Sequence, residues 1–569
     1  MASTTDPNDL PPPLQDIPTA KQKKFDRQLR LWGATGQAAL EDTHVLLINS
    51  GTGVTGVETL KNLVLPGVGK FTVADTAVVT DDDLDVNFFL DETSRGKFRA
   101  DETVRLLAEM NPESRGFAVK EPVEACLAGE RALADYTLVL VAAPIDPTVL
   151  ALIQSRAHAF DIPLFYFHSV GFFSHFSISL PPTFPIVDTH PDVSATTDLR
   201  ILKPWSALRA FARGKTADLD GMSTHDKGHI PYVCLLLHYL AVWKEKHDGK
   251  VPETYKEKQE FRDEYVRKGS PDEENFDEAV AAVLKSLHPP MAPSAVREVL
   301  NATEARDLDA DSAAFWVIAN AIQCFYAKRG ELPLPGAVPD MKALSADYIQ
   351  LQNIYKTKAR EDCAEVLSTV RKLEKATGRP LERSIGEKEV ENFCKGAAHI
   401  HLVRGRPLQI VHPGQPVTFG DRTKSMAAEL TNPESLIGTY LAFLAWDDFV
   451  GAHAAQLDGA GLRPPGSDTA TVDADAAKLT HTAHQICDAL IHAADTPVSE
   501  PDYSDLLRSI ARTCRELARA GGVELHPVAS LTGGMLAQEV IKVVTRQYVP
   551  VNNTCVFDGV ASRTYTLRV

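Results

Sequence analysis

No two of the eight cysteines stand close enough to form a Cys-x-x-Cys pair, which excludes a zinc ribbon and a thioredoxin-type redox motif. Thiols scattered this thinly over 569 residues read as reduced and intracellular. No window approaches the run of about 18 apolar residues that a membrane-spanning helix needs. The opening segment MASTTDPNDLPPPLQDIPTA has neither the basic start nor the apolar centre of a signal peptide. An excess of positive charge is missing too. Lys and Arg number 59 against 76 Asp and Glu, a net charge of −17. A chain this acidic gains nothing from a phosphate backbone, so nucleic acid is not the expected partner. No repeat of solenoid period is present. The expectation is a cytosolic or nuclear protein.

What is present is ordinary globular composition, 44% hydrophobic and 24% charged, in a chain long enough for two to four domains at about 150 residues each. Residues 1–20, rich in Pro, Asp and Thr, are expected to be disordered. After an amphipathic stretch, HVLLINS is an apolar run of strand length, GTGVTG a turn, VETLKNLVL helical in period, and GKFTVADT a second strand. That order is one βαβ unit. RADETVRLLAEMNP continues as a helix, and YTLVLVAAP and IPLFYFHSV as buried strands. The fold class expected is therefore α/β, a doubly wound Rossmann-like domain. From residue 179 to 495 helical periodicity takes over. It is clearest over 343–374, where Leu344, Tyr348, Leu351, Tyr355, Val366, Val370 and Leu373 recur at three- and four-residue steps. The stretch from Leu457, LDGAGLRPPGSDTATVDADAA, reads as a linker. TCVFDG and SRTYTLRV then flank a turn signal at Asp558–Gly559. The predicted architecture is one α/β domain, 21–178 plus 496–569, split by a mainly helical insertion over 179–495.

Gly51, Gly53 and Gly56 form Gly-x-Gly-x-x-Gly between a strand and a helix, and Asp75 closes the next strand about 20 residues on. In a dinucleotide site these residues give the tight turn, the close approach of backbone to phosphate, the packing of helix on strand, and an acceptor for ribose hydroxyls. Two readings stay open on these residues alone: a nucleotide site, or glycines that serve chain geometry only. An NAD-dependent oxidoreductase belongs to the first.

KFDRQLRLWG at the start, GVETLKNLVLPGVGKFTVAD after the loop and the terminal HPVASLTGGMLAQEVIKVVTRQYVPVNN resemble the ubiquitin-like-protein activating enzymes. TYKEKQEFRDEY and VPDMKALSADYIQLQNIYKTKAR, inside the insertion, resemble the regulatory-subunit family of the heterodimeric neddylation-activating enzyme in particular. The resemblance implies a pseudo-adenylation domain and an insertion akin to a catalytic-cysteine domain without its cysteine. The departures fit a non-catalytic half. Active members carry a further glycine where Val54 stands, and a β-branched side chain there crowds a phosphate. Asp85 and Val86 fall where active members place Asn and Arg to clamp phosphates. Arg99 replaces the lysine of Gly-x-x-Lys-Ala. Asp146 is the nearest candidate for the magnesium-binding Asp. None of the eight cysteines precedes a threonine, as the thioester-forming Cys of active members does.

The resemblance implies partners as well: the catalytic subunit of the neddylation-activating enzyme and the ubiquitin-like modifier. ATP and Mg²⁺ belong to that partner subunit, with no cofactor of this chain's own, and Gly51, Gly53, Gly56 and Asp75 become vestigial. Arg27, in the KFDRQ segment, is the one catalytic candidate: an arginine presented in trans to partner-bound ATP. The plain alternative is an ordinary surface arginine. Leu334, Pro339, Asp340, Met341 and Tyr348, in and beside the LPLPGAVPDM segment, are expected to contact the catalytic subunit. A self-sufficient homodimeric activating enzyme and a pure scaffold are the remaining alternatives. No metal site is expected. His225 and His229 have the spacing of a helical site but no third ligand, and Asp81, Asp82 and Asp83 read as a solvated acidic turn.

Overall fold

The computed structural model describes residues 18–129, 131–191, 198–270, 272–289, 291–454 and 462–569. Most of the expected disordered N-terminus lies outside the described residues. Within them, the Thr19 side chain caps a helical turn, Ala20–Lys24, so order begins before residue 20.

The strands are β1 (His44–Ile48), β2 (Lys70–Ala74), β3 (Arg115–Val119), β4 (Leu138–Ala142), β5 (Leu164–Val170), β6 (Phe173–Ser179), β7 (Phe184–Val187), β8 (Ile400–Val403), β9 (Thr554–Asp558) and β10 (Arg563–Leu567). Eight of them form one sheet in the order β10-β9-β6-β5-β4-β1-β2-β3. The run β5-β4-β1-β2-β3 is parallel throughout. β6, β9 and β10 add antiparallel strands at one side. β1, β4 and β5 are buried on both faces, as parallel strands covered by helices must be, which is why they read as unbroken apolar runs. The order reverses between β1 and β4, and the crevice beyond those two strand ends is where a doubly wound fold takes its ligand.

The chain divides into two compact units. One comprises residues 1–184, 404–546 and 550–569; the other comprises 185–403 and 547–549. The insertion is therefore shorter than the expected 179–495. The reason is the helix Ile437–Ala454. It is buried nearly all round and shares a core with Val170, Phe173 and Val556 of the sheet and with the helices Val472–Ala494 and Glu500–Ala520. A helix apolar on every side belongs inside a layer, not on its surface. Of the loop or linker expected from Leu457, the described residues 462–471 form no helix or strand, and only its end is corrected. Residues 455–461 lie outside the described residues, but Val472 already starts a 23-residue helix. The Asp558–Gly559 signal does mark the β9–β10 hairpin. Its turn is longer than two residues, with the Asp558 carboxylate accepting from the amides of Val560 and Ala561.

The second unit is helical around two cores. Its longest helix, Ser345–Thr377, supplies Leu351 and Tyr355 to one core and Val366 and Val370 to the other. The expected helix over 343–374 is present, displaced by two or three residues at its ends.

Candidate functional site

The glycine loop lies at the end of β1. Gly51 and Gly53 sit at φ +58° and +68°, a region that L side chains rarely adopt. Gly53 caps the helix Val54–Val64. The free amides at this helix end face a carboxylate of the same chain. Glu524 Oε2 accepts from the Val54 amide at 2.6 Å and from the Thr52 hydroxyl at 2.7 Å. Glu524 Oε1 accepts from the Thr55 amide at 3.2 Å. This is the donor set that a glycine loop offers to phosphate, and a side chain already holds it. The Asn49 side chain fills the space behind the loop. A Cβ added to Gly53 would meet its Nδ2 at 2.2 Å, and one added to Gly56 its Oδ1 at 2.6 Å.

The acid expected to take ribose is also engaged. Asp75, 4% exposed, accepts from Arg99 Nε at 2.7 Å, Arg99 Nη2 at 3.2 Å, Asn49 Nδ2 at 3.1 Å and the Ala77 amide at 2.9 Å. Arg99 Nη1 donates to Asp83 at 2.8 Å. Burial pulls the guanidinium pKa down, but Asp75 and then Asp83 carry it above its ordinary value. Asp83 is thus an internal ion-pair partner. It also accepts from the Thr80 amide and hydroxyl, so the solvated turn expected over Asp81–Asp83 is corrected at this residue. Arg99 serves the carboxylates of its own chain. Across the crevice, Ser50 Oγ donates to the Pro144 carbonyl at 2.6 Å, tying the end of β1 to the segment after β4. Asp146 caps the helix Pro147–Ala159 by accepting from the Thr148 and Val149 amides.

Where active relatives would clamp phosphate, Asp85 is exposed and Val86 half-buried. The ring nitrogens of His526 lie 3.0 Å from the Val86 carbonyl oxygen and 2.8 Å from Glu58 Oε1. Phe88 stacks on the same imidazole with ring centroids 4.0 Å apart. Glu58, 2% exposed, also accepts from Ser530 at 3.2 Å. The helix His526–Thr545 is thereby joined to both the loop helix and the clamp segment. Gly53, Gly56 and Asp75 meet at Asn49, and Arg99, singled out by the family resemblance, pairs with Asp75; the groups that the loop amides and Asp75 hold belong to the chain. The residues present do not fit a nucleotide.

Arg27 lies apart from this cluster, on the exposed side of the first turn of Asp26–Glu41. Its segment is anchored on either side. Phe25 is buried against Gly67, and Trp32 Nε1 donates to Gln37, whose amide donates to the Pro66 carbonyl. Gly33, at φ +65°, kinks the helix just beyond.

The family described as ThiF matches residues 25–569, nearly the whole chain. The NEDD8-activating enzyme E1 regulatory subunit of Xenopus laevis is 36% identical over 560 residues, covering 96% of this chain and 99% of that protein. The protein of the same name in Danio rerio is 33% identical over 567 residues, covering 98% and 100%. The NEDD8-activating enzyme E1 regulatory subunit AXR1 of Arabidopsis thaliana is 33% identical, covering 96% of each chain. The chain belongs to the ThiF family, among the NEDD8-activating enzyme E1 regulatory subunits. Membership of these regulatory subunits sets aside the NAD-dependent oxidoreductase and the self-sufficient homodimer, and the commitment of Asp75 to Arg99 agrees with it.

Two residues expected to face a partner subunit are corrected. Leu334 and Met341 lie in a core of the helical unit, 1% and 8% exposed. The prolines around them stiffen a segment that is packed down rather than lifted off. Tyr348 is half-buried against the same core, Pro339 is half-buried, and Asp340 is exposed. Among the described residues no group of three or more His, Cys, Asp or Glu is arranged to hold a metal. His229 Nδ1 lies 2.7 Å from the His225 carbonyl oxygen. No described helix is long and apolar enough to cross a membrane. Five of the eight cysteines are buried. Burial pushes the thiols of Cys234, Cys487 and Cys514 up to about 12, the opposite of what a thiolate nucleophile requires.

Sequence reasoning did not find Glu524, Asn49, Thr52 or His526. His526–Pro527 marks a helix start, but nothing local to VELHP points to a loop more than 450 residues earlier.

Proposed function

We propose that this chain is the regulatory half of a heterodimeric enzyme that activates NEDD8. The catalytic subunit would hold ATP and Mg²⁺, adenylate the modifier's C-terminus and take it as a thioester. This chain would complete the paired α/β core and supply Arg27 to the nucleotide. The near-full-length likeness to proteins of that name supports the assignment. The observation that carries the chemical part is the setting of Arg27: an exposed guanidinium with no ion pair among the described residues, on a segment pinned by Phe25 and Trp32. A fixed cation of this kind stabilises charge on phosphate oxygens as an acyl-adenylate forms, and a trans-acting arginine is worth about 10³-fold or more in related phosphoryl chemistry. The test is ATP–pyrophosphate exchange by the heterodimer purified with its catalytic subunit. Arg27→Ala should lower exchange about 10³-fold while the two chains still co-elute. Unchanged exchange would remove Arg27 from the chemistry, and failure of the wild-type chains to associate would remove the assignment itself.

A further inference from the structure

Three donors of the glycine loop converge on the two oxygens of one carboxylate: the amides of Val54 and Thr55 and the hydroxyl of Thr52, at 2.6 to 3.2 Å from Glu524. The helix behind them runs eleven residues, long enough for its dipole to favour an anion at this end. Two more polar atoms at the loop are buried with no hydrogen-bond partner among the described residues, Asn49 Oδ1 and Thr55 Oγ1. Asn49 is 7% exposed, and its Oδ1 lies against the Gly53 and Gly56 positions. The loop thus keeps the glycine geometry, the amides and the hydroxyl of a phosphate cradle. What differs is the occupant, together with Val54 at the position of a further glycine.

We infer that the glycine loop is a working anion receptor whose resident ligand is the Glu524 carboxylate, and that it accepts a phosphate-class anion once that carboxylate is removed. The backbone on either side of Glu524 is held in place. The Gly171 amide donates to the Val523 carbonyl at 2.9 Å, and Gly171 forms a β-bridge with Glu524. Two residues further on, His526 reaches Val86 and Glu58. A ligand tethered on both sides is present at an effective concentration of millimolar or above, so dilute phosphate cannot compete. The carboxylate also holds the entry of the helix His526–Thr545 to the helix Val54–Val64, where Gly533 packs on Glu58 and Thr59. The site therefore acts as a clasp between distant parts of the chain. This inference is independent of the role proposed for Arg27, because it concerns only the isolated chain.

Thermal unfolding of the full-length chain tests it, with inorganic phosphate as the probe and sodium chloride at matched ionic strength as the control. Glu524→Ala should melt about 4 °C or more below wild type, as expected for losing hydrogen bonds to a buried charge. Phosphate in the millimolar range should restore much of that loss saturably, and should leave wild type where chloride leaves it. Glu524→Gln keeps the shape and one acceptor, so it should fold, melt between the two and respond weakly to phosphate. If Glu524→Ala does not yield folded protein, the comparison rests on Glu524→Gln, which must still melt below wild type. An equal response of wild type and variants to phosphate would overturn the inference. So would a Glu524→Ala chain that melts with wild type, or one that loses stability and gains nothing from phosphate.

Discussion

Replacing Arg99 with Met isolates the worth of one buried guanidinium. The methionine keeps most of the aliphatic stem and so leaves little cavity. What disappears is the charge between Asp75 and Asp83, which Arg99 contacts at 2.7 and 2.8 Å with its own side chain 3% exposed. Removing one member of a buried ion pair typically costs about 3–5 kcal/mol, because the remaining charge is left unpaired away from water. Two carboxylates lose their cation here. Neither is left bare: Asp75 retains Asn49 and the Ala77 amide, and Asp83 retains Thr80. A loss of about 4 kcal/mol is expected on that basis. With a urea dependence of about 3 kcal/mol per molar, the unfolding midpoint of the sheet unit should fall by roughly 1.3 M. Far-UV circular dichroism across a urea series measures it. The triple variant Arg99→Met, Asp75→Asn, Asp83→Asn removes the orphaned charges as well and should recover most of the loss. A single variant that loses less than about 1 kcal/mol, or a triple variant no more stable than the single, would refute the claim that these carboxylates are internal partners of Arg99.

Acid should act through the buried histidines of β5 and β6. Burial drives His175 down to about 3 and His168 well below its ordinary value. Below pH 6.5 the unfolded chain therefore binds protons that the folded chain refuses, and stability falls with pH. Asp447, raised to about 7 by burial, works the other way by taking up its proton in the folded state. His175→Phe removes one histidine and leaves the carboxylate. Relative to wild type it should gain about 2 kcal/mol between pH 7.5 and pH 5, and parallel pH profiles in denaturant unfolding would contradict this. Gly53→Ala forces a side chain into a left-handed position against Asn49 and should cost about 2 kcal/mol or more. Gly96→Ala, at a similar φ with nothing within 4 Å, should cost only about 1 kcal/mol; equal losses in thermal unfolding would show that Asn49 yields freely.

β1, β4 and β5 were legible because they are buried on both faces and so carry unbroken apolar runs. β6 was not. Its sequence, FSHFSIS, alternates apolar with Ser and His, yet all seven residues are buried. Its three serines meet distant partners, Ser174 with Thr532, Ser177 with Thr554 and Ser179 with the Arg406 carbonyl, while both ring nitrogens of His175 are buried with no hydrogen bond among the described residues. β3 was missed because it is a half-exposed edge with little apolar signal. At the site, Gly51, Gly53, Gly56 and Asp75 could be read because a βαβ unit fixes their spacing, and Arg99 only through the family resemblance. The ligands they hold could not be read. Glu524 answers the loop across 470 residues, and periodicity carries no information at that range. Leu334 and Met341 misled for a local reason: a proline-rich segment looks exposed, and only packing reveals that its apolar residues point inward.

The clasp between Glu524 and the loop also sets an order of events during synthesis. A ribosome adding about 5–20 residues per second needs roughly 25–95 seconds to travel the 470 residues from Val54 to Glu524. For that interval the nascent chain carries a helix end with unanswered amides. β6, whose outer neighbour β9 begins only at Thr554, presents an open strand edge throughout the same wait. An edge of this kind invites pairing with other chains. The half of the protein made first is thus the half that must be shielded longest, and a truncated product ending anywhere before Glu524 should be a client for chaperones rather than a smaller folded protein.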